Sequence, residues 1–393
     1  MVNGKMLDLG QKSSVIREIF EYGNLRKAQI GAENVFDFSL GNPSIPAPKI
    51  VTDTILKLVK EKEPLEIHGY TSAAGDISVR RAIAEDLNKR FGVKSTEKLI
   101  YMTCGAAASL TITLNALVNK GDEVILLAPF FPEYVVFAEK AGAKVKIVKN
   151  SEDFQIDFAA LSKAITQKTK AVIVNSPNNP SGAVLSEETI KKFSTLLKEK
   201  SKKFKSDIYV IADEPYRELV YGGLEVPYIP NFYDNTVVCY SFSKSLSLPG
   251  ERIGYIFVSP KARDSSELFA AVCGAGRSLG FVCAPSLLQY TIKECLGQTA
   301  NISIYEENRN LLYNALTEYG YTAVKPDGAF YLFLKSPEPD AKAFCERAKK
   351  YELLLVPSDS FGCDGYVRIS YCVNTETIKR ALPAFKRLIE EYR

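Results

Sequence analysis

Lys244 closes the apolar run Thr236-Val-Val-Cys-Tyr240 and lies among hydroxyl residues in Ser241-Phe-Ser-Lys-Ser-Leu-Ser-Leu-Pro-Gly-Glu-Arg-Ile-Gly254. A lysine amine becomes a nucleophile near neutral pH when burial or a nearby cation lowers its pKa, and it can then form a Schiff base with a carbonyl. The ordinary alternative, a snorkelling lysine with its head in water, fits this serine-rich setting poorly. Two other polar segments follow apolar runs in the same way: Asn175-Ser-Pro-Asn-Asn-Pro-Ser-Gly182 and Asp213-Glu-Pro-Tyr216. Arg368 is a lone charge in Tyr366-Val-Arg-Ile-Ser370, where a planar guanidinium suits bidentate capture of a carboxylate. Gly105-Ala106-Ala107 fits a loop opening a helix, whose free N–H groups favour an anion such as phosphate. His68 is the only histidine, so multi-histidine metal sites are excluded and no metal is expected.

The elements that must position these residues are short apolar runs at 123–128, 144–148, 171–175, 208–212, 236–240 and 253–258, separated by amphipathic stretches. Runs of this length, rich in Val and Ile, read as strands buried on both faces, with helical crossovers between them. The expected fold class is α/β with a mostly parallel central sheet flanked by helices, and in such sheets ligands sit beyond the carboxyl ends of the strands. The expected organisation is an N-terminal segment, 1–41, without a sheet partner of its own and packing on a small domain. A large domain follows at 42–285, and a smaller α+β domain at 286–393 opens with one long helical stretch, 286–319. Strands are expected near 328–334 and 365–371, and the Pro-rich Gly41-Asn-Pro-Ser-Ile-Pro-Ala-Pro48 reads as a fixed loop.

Length and composition agree with two packed domains. At 393 residues the chain exceeds the size at which one core stops growing. Fifty Lys and Arg against 46 Asp and Glu leave a net charge of +4, with the basic residues dispersed, so no nucleic-acid footprint is expected. Eight cysteines without a CxxC pair read as reduced thiols of a cytoplasmic protein. Neither a signal-peptide core in residues 1–9 nor a membrane span is expected. Gly276-Arg-Ser-Leu-Gly280 matches the GxSxG hydrolase pattern, but no strand precedes Ser278 and no histidine follows it.

Taken together, these segments resemble the class I aminotransferases, enzymes of fold type I that depend on pyridoxal 5′-phosphate (PLP). The stretch 241–254 satisfies that family's lysine signature, and matching motifs extend from Gly41 to Arg368. The resemblance implies that Lys244 is the Schiff-base lysine and proton carrier, that Asp213 meets the pyridine nitrogen, and that Tyr216 and Asn179 bond the phenolic oxygen. It implies a phosphate site of Gly105, Ala106, Ala107, Ser241, Ser243 and Arg252. Phe131, in Pro129-Phe-Phe-Pro-Glu-Tyr134, would stack on the ring, and Tyr70 would reach the phosphate from the neighbouring subunit of a homodimer with shared active sites. Arg368, Asn179 and Gly41 would receive the substrate's α-carboxylate, and Arg277 would read a distal carboxylate across the interface.

The activity so implied is ping-pong transfer of an amino group between an L-amino acid and a 2-oxo acid, aspartate or an aromatic amino acid with 2-oxoglutarate being favoured. A carbon–sulfur β-lyase of the same fold is the alternative reading, because fold does not fix function. A non-catalytic ligand-sensing module is a remote one.

Overall fold

The computed structural model describes residues 2–11 and 14–393. Met1, Lys12 and Ser13, within the expected 1–41 segment, lie outside the described residues.

A seven-stranded sheet runs in the spatial order Ile100–Thr103, Gly254–Val258, Thr236–Ser241, Tyr209–Asp213, Thr169–Asn175, Glu123–Ala128, Lys144–Lys149. The pairings among the last five are parallel, as expected. Gly254–Val258 runs antiparallel to both of its neighbours. Four of the parallel strands are almost wholly buried, which is what continuous apolar runs under two helical layers require. Lys144–Lys149 departs from the expectation: it is an edge strand whose Lys144 and Lys149 are exposed, and edge lysines discourage further strand pairing.

Helices form where the amphipathic stretches were read. The lysine-rich run near 191–205 lies on the helix Glu187–Phe204, which Ser186 caps by accepting from the Thr189 N–H. Ile190, Phe193 and Leu197 face inward, leaving the lysines in water. The helix Ala106–Leu117 is apolar on nearly all sides and packs beneath the sheet. Ser278 sits inside the helix Ser265–Leu279, so the strand-to-turn elbow of a hydrolase is not formed there.

Two hydrophobic cores divide the chain. The larger extends from Val51 to Cys295. The smaller gathers Phe38, Ile45, Tyr216, Leu219 and Tyr221 with residues from Ala300 to Ile389 around an antiparallel sheet ordered Val356–Pro357, Tyr366–Ser370, Tyr331–Lys335, Thr322–Ala323. The expected single helix over 286–319 is two helices, Ser286–Glu294 and Ser303–Glu318. The first packs on the helix Lys49–Glu61 and places Ile292 in the larger core. We therefore propose that the division between the two units falls after Cys295 rather than at 285. The N-terminal segment does have a sheet partner: Phe36–Asp37 pairs in parallel with Leu353–Leu354. Ile19, on the helix Val15–Ile30, is buried against Leu354, Val356 and Phe361. No helix among the described residues is long and apolar enough to cross a membrane.

Candidate active site

Three strand ends deliver the chemistry to one cleft. Thr169–Asn175 leads into the 175–182 loop, Tyr209–Asp213 ends on Asp213, and Thr236–Ser241 runs into a single helical turn, Phe242–Ser245, that carries Lys244. The cleft has a volume of about 290 Å³. Lys244, Asp213, Asn179, Tyr216 and Arg368 line it, as do Gly41 and Phe131. Ala106, Ala107, Ser241, Ser243 and Arg252 line its other end.

At that end the helix Ala106–Leu117 begins, with Gly105 at its N-cap in a positive-φ conformation (φ 86°). A Cβ at Gly105 would come within 2.6 Å of an Arg252 guanidinium nitrogen, so glycine answers both a backbone and a steric demand. The Ser243 Oγ accepts from Arg252 Nη1 at 3.4 Å and lies 2.7 Å from the Ser241 Oγ. The antiparallel return of Gly254–Val258, with Ser241 opposite Gly254, carries Arg252 back beside the serines. Free helix N–H groups, hydroxyls and a guanidinium converge there, a donor set suited to a phosphate dianion.

Lys244 is partly buried, and the desolvation of its amine is the main cause that lowers it to about 8. Its Nζ donates to the Gly41 carbonyl at 2.6 Å. Asp213 is pushed the other way, to about 7, mainly by burial and against the hydrogen bond from the Tyr134 hydroxyl to its Oδ2. Asp213 Oδ1 is buried and has no hydrogen-bond partner. Such an orphaned acceptor, aimed into a cleft, is a demand for a donor.

Arg368 is 2% exposed, yet no carboxylate among the described residues pairs with it. Its Nη1 donates to Asn179 Oδ1 at 3.2 Å, its Nη2 to the Ser39 carbonyl at 2.5 Å, and its Nε has no partner. Tyr331 and Phe361 place their ring faces 4.7 and 5.3 Å from the guanidinium carbon. A buried guanidinium without a counter-ion favours an incoming anion.

Two expected residues are not brought to the cleft within this chain. Tyr70 is 97% exposed, on a loop held against the 281–289 segment by Gln289 and by the Cys283 N–H bonded to the Ala73 carbonyl. Arg277 is exposed in the last turn of Ser265–Leu279. Three site residues escaped the sequence reading. Tyr134 bonds Asp213, and Tyr331 places its hydroxyl 2.9 Å from that of Tyr216 and against Gly41, where a Cβ would collide with it. Asn175 ties the two strand ends together, donating to the Asp213 carbonyl at 2.9 Å and accepting from the Asn179 N–H at 2.7 Å. Tyr134 was within sight: it lies three residues after Phe131 in a motif already singled out, on the same side of the turn that starts the helix Glu133–Lys140.

The sequence profile of aminotransferase class I and II matches residues 33–385. The chain belongs to that family. It is a transaminase of the PLP-dependent fold type I, resembling the aspartate aminotransferases. A solved aminotransferase from Eubacterium rectale is 57% identical, covering 100% of this chain and 99% of that one, with a TM-score of 0.98. The probable aspartate aminotransferase of Methanocaldococcus jannaschii is 30% identical over 96% of this chain and 98% of its own. The aspartate aminotransferase of Thermus thermophilus solved with maleate is 27% identical, with coverage of 99% of each chain and a TM-score of 0.86.

The residues present in this aminotransferase fit the family's cofactor. PLP combines a phosphate, a ring nitrogen that can carry a proton, and an aldehyde. The Gly105 cradle with Arg252 suits the first, the orphaned Asp213 Oδ1 the second, and the low-pKa Lys244 amine the third. No cluster of three or more His, Cys, Asp or Glu among the described residues is placed to hold a metal.

Proposed function

We propose that this transaminase uses PLP to move an amino group from an L-amino acid to a 2-oxo acid by a ping-pong cycle, with aspartate or an aromatic amino acid and 2-oxoglutarate as favoured pair. The observation that carries the reading is the convergence of a low-pKa lysine, an orphaned aspartate oxygen and a counter-ion-free arginine in one cleft.

When bound, PLP would supply a carbonyl for the amino group and a sink for the electrons left behind when the α-proton departs. Arg368 and Asn179 receive the α-carboxylate, with the Gly41 backbone close by because its missing Cβ leaves room only for the Tyr331 hydroxyl. Lys244 Nζ, neutral above about 8, is the base that takes the α-proton and delivers it on the other side of the transfer. Asp213 would hold positive charge at the ring nitrogen through its unpartnered Oδ1, while the Tyr134 hydroxyl fixes the carboxylate's orientation through its other oxygen. Tyr216, Asn179 and Phe131 line the cleft; the first two would donate to the cofactor's phenolic oxygen, and Phe131 would pack on its ring. Ile16 and Leu40 line the cleft from the N-terminal side and give that wall an apolar surface.

A homodimer with shared sites belongs to this reading. It is supported by the exposed Tyr70, which stands with Phe281 and Val282, each 37% exposed, on a surface tied together by Gln289. Tyr70 would then serve the partner's phosphate site. Eight free cysteines support a reducing, cytoplasmic setting. Preference for aspartate draws support from the Thermus relative solved with the dicarboxylate maleate. In that case Arg277 of one subunit would meet the distal carboxylate in the other's cleft. Arg277→Ala should then lower kcat/KM for aspartate about tenfold or more and leave phenylalanine unaffected, as loss of one exposed-to-buried charge contact implies. Equal effects on the two substrates would remove Arg277 from the specificity pocket.

The experiment that tests the function is borohydride reduction of PLP-treated protein with peptide mapping, beside two assays: amino transfer from aspartate to 2-oxoglutarate, and release of pyruvate and ammonia from cystathionine. Label on Lys244 with transfer dominant is expected. Label elsewhere, or elimination outrunning transfer, overturns the reading.

A further inference from the structure

Lys244 rides on one of the shortest helices in the molecule, the four residues Phe242–Ser245. A single turn has too few internal hydrogen bonds to be rigid by itself, so its orientation is set by what it touches. On the cleft side the Ser241 hydroxyl caps it, accepting from the Ser243 N–H at 3.2 Å. On the opposite side its buried residues Phe242 and Ser245 also border open space. A second cavity of about 310 Å³ lies there, lined by Arg90, Glu218, Tyr240, Phe242 and Ser245.

Across that cavity runs a chain of polar contacts. The Tyr240 hydroxyl lies 2.9 Å from Ser245 Oγ and 2.9 Å from Glu218 Oε2. Arg90 Nη2 donates to the other Glu218 oxygen at 2.9 Å. A phenol has one proton and a carboxylate paired with arginine can only accept, so that proton points to Glu218 and the Ser245 hydroxyl donates to the phenol oxygen. Ser245 is 1% exposed, Tyr240 5%, and the Glu218 side chain 11%, so these contacts are largely shielded from competing water. Stacking on Tyr255, with ring centroids 5.0 Å apart, and an edge contact with Phe242 at 5.1 Å hold the Tyr240 ring itself. The Ser245 carbonyl, finally, accepts from the Ala300 N–H at 2.7 Å, where the smaller core begins.

We propose that Ser245, Tyr240 and Glu218 form a tether that fixes the lysine turn from behind, making Tyr240 and Glu218 positioning residues for Lys244. The inference rests on reading Lys244 as the cofactor-bearing base. The tether acts on the direction of the Nζ, not on the grip of the substrate carboxylate, which belongs to Arg368 on the other side of the cleft. Loss of the tether therefore affects proton transfer and the ionisation of the lysine-bound cofactor, and leaves substrate binding in place.

The test compares wild-type, Tyr240→Phe, Ser245→Ala and the double variant as cofactor-loaded dimers. Tyr240→Phe keeps the stacked ring and removes one oxygen. Expected is a fall in kcat of about tenfold with KM unchanged, the scale of a small misplacement of a catalytic group. The pH midpoint of the cofactor's visible band should move in the same variants. The double variant should lose no more than the larger single loss, because both changes cut one chain. A merely structural tyrosine would lower Tm without moving the midpoint. A band present with midpoint and kcat unchanged in Tyr240→Phe and in Ser245→Ala overturns the tether alone. Absence of the band from the wild-type protein overturns the reading of Lys244 and the tether with it.

Discussion

Lys244→Ala should cut turnover by about four orders of magnitude, the upper end of what a positioned base contributes, while amino acid and cofactor still bind. The asymmetry follows from where the binding groups come from. Arg252, Ser241 and Ser243 stand on either side of the lysine but do not depend on its side chain, and Arg368 reaches the cleft from the smaller core. The fold should tolerate the change, since the substitution removes a partly buried amine whose depressed pKa already records a desolvation cost. The lost Nζ contact leaves only the Gly41 carbonyl, which faces an open cleft. Single-turnover absorbance with aspartate is the measurement. Retention of kcat within tenfold of wild-type would assign the proton transfer to another group.

Asp213→Asn should produce two effects of opposite sign. Activity should fall by about 10²- to 10³-fold, the usual cost of removing a preorganised charge partner, because a neutral amide cannot keep the ring nitrogen protonated. The cofactor-free protein should meanwhile become more stable at pH 8. Burial raises Asp213 from 3.8 to about 7. Between those values the native state holds a proton that the unfolded chain has released, so native stability falls as pH rises from about 4 to about 7. The full cost above pH 7 is on the order of 4 kcal/mol, by the conversion of about 1.4 kcal/mol per unit. Asparagine never ionises and escapes that loss, and its amide oxygen can still accept from the Tyr134 hydroxyl. Thermal melts of the cofactor-free forms at pH 5 and pH 8 give the answer. A variant advantage that does not grow between the two pH values would mean that Asp213 is not ionising in a dry site.

Both predictions rest on residues visible in the sequence, and the reason is local. Buried parallel strands write themselves as continuous apolar runs, and their polar punctuation marks the carboxyl ends where a ligand sits. Lys244, Asp213 and Asn179 could be found that way, and the phosphate loop announced itself through Gly105 at a helix start. What stayed hidden depends on pairing across long distances or on very short elements. Ile100–Thr103 spans four residues, too few to show a period, and nothing in the composition of Gly254–Val258 says that it runs antiparallel. The partner of Phe36–Asp37 lies more than 300 residues away, at Leu353–Leu354. The break between Ser286–Glu294 and Ser303–Glu318 falls in a mixed stretch, 295–302, whose one breaker is Gly297 at φ 76° and which has no proline to mark it. Tyr331 and Tyr134 were masked by their own hydrophobicity: a tyrosine in an apolar run reads as core, and only the fold shows where its hydroxyl points.

The division of the cleft between two cores has one more consequence. Lys244, Asp213, Ser241, Arg252 and the Gly105 loop all sit on elements of the larger core, whereas Arg368 and Tyr331 hang from the smaller one. If PLP is held as proposed, heat or denaturant that melts the smaller core first would leave a protein that keeps the cofactor's colour and no longer turns over substrate. Colour would then vouch for only half of the enzyme.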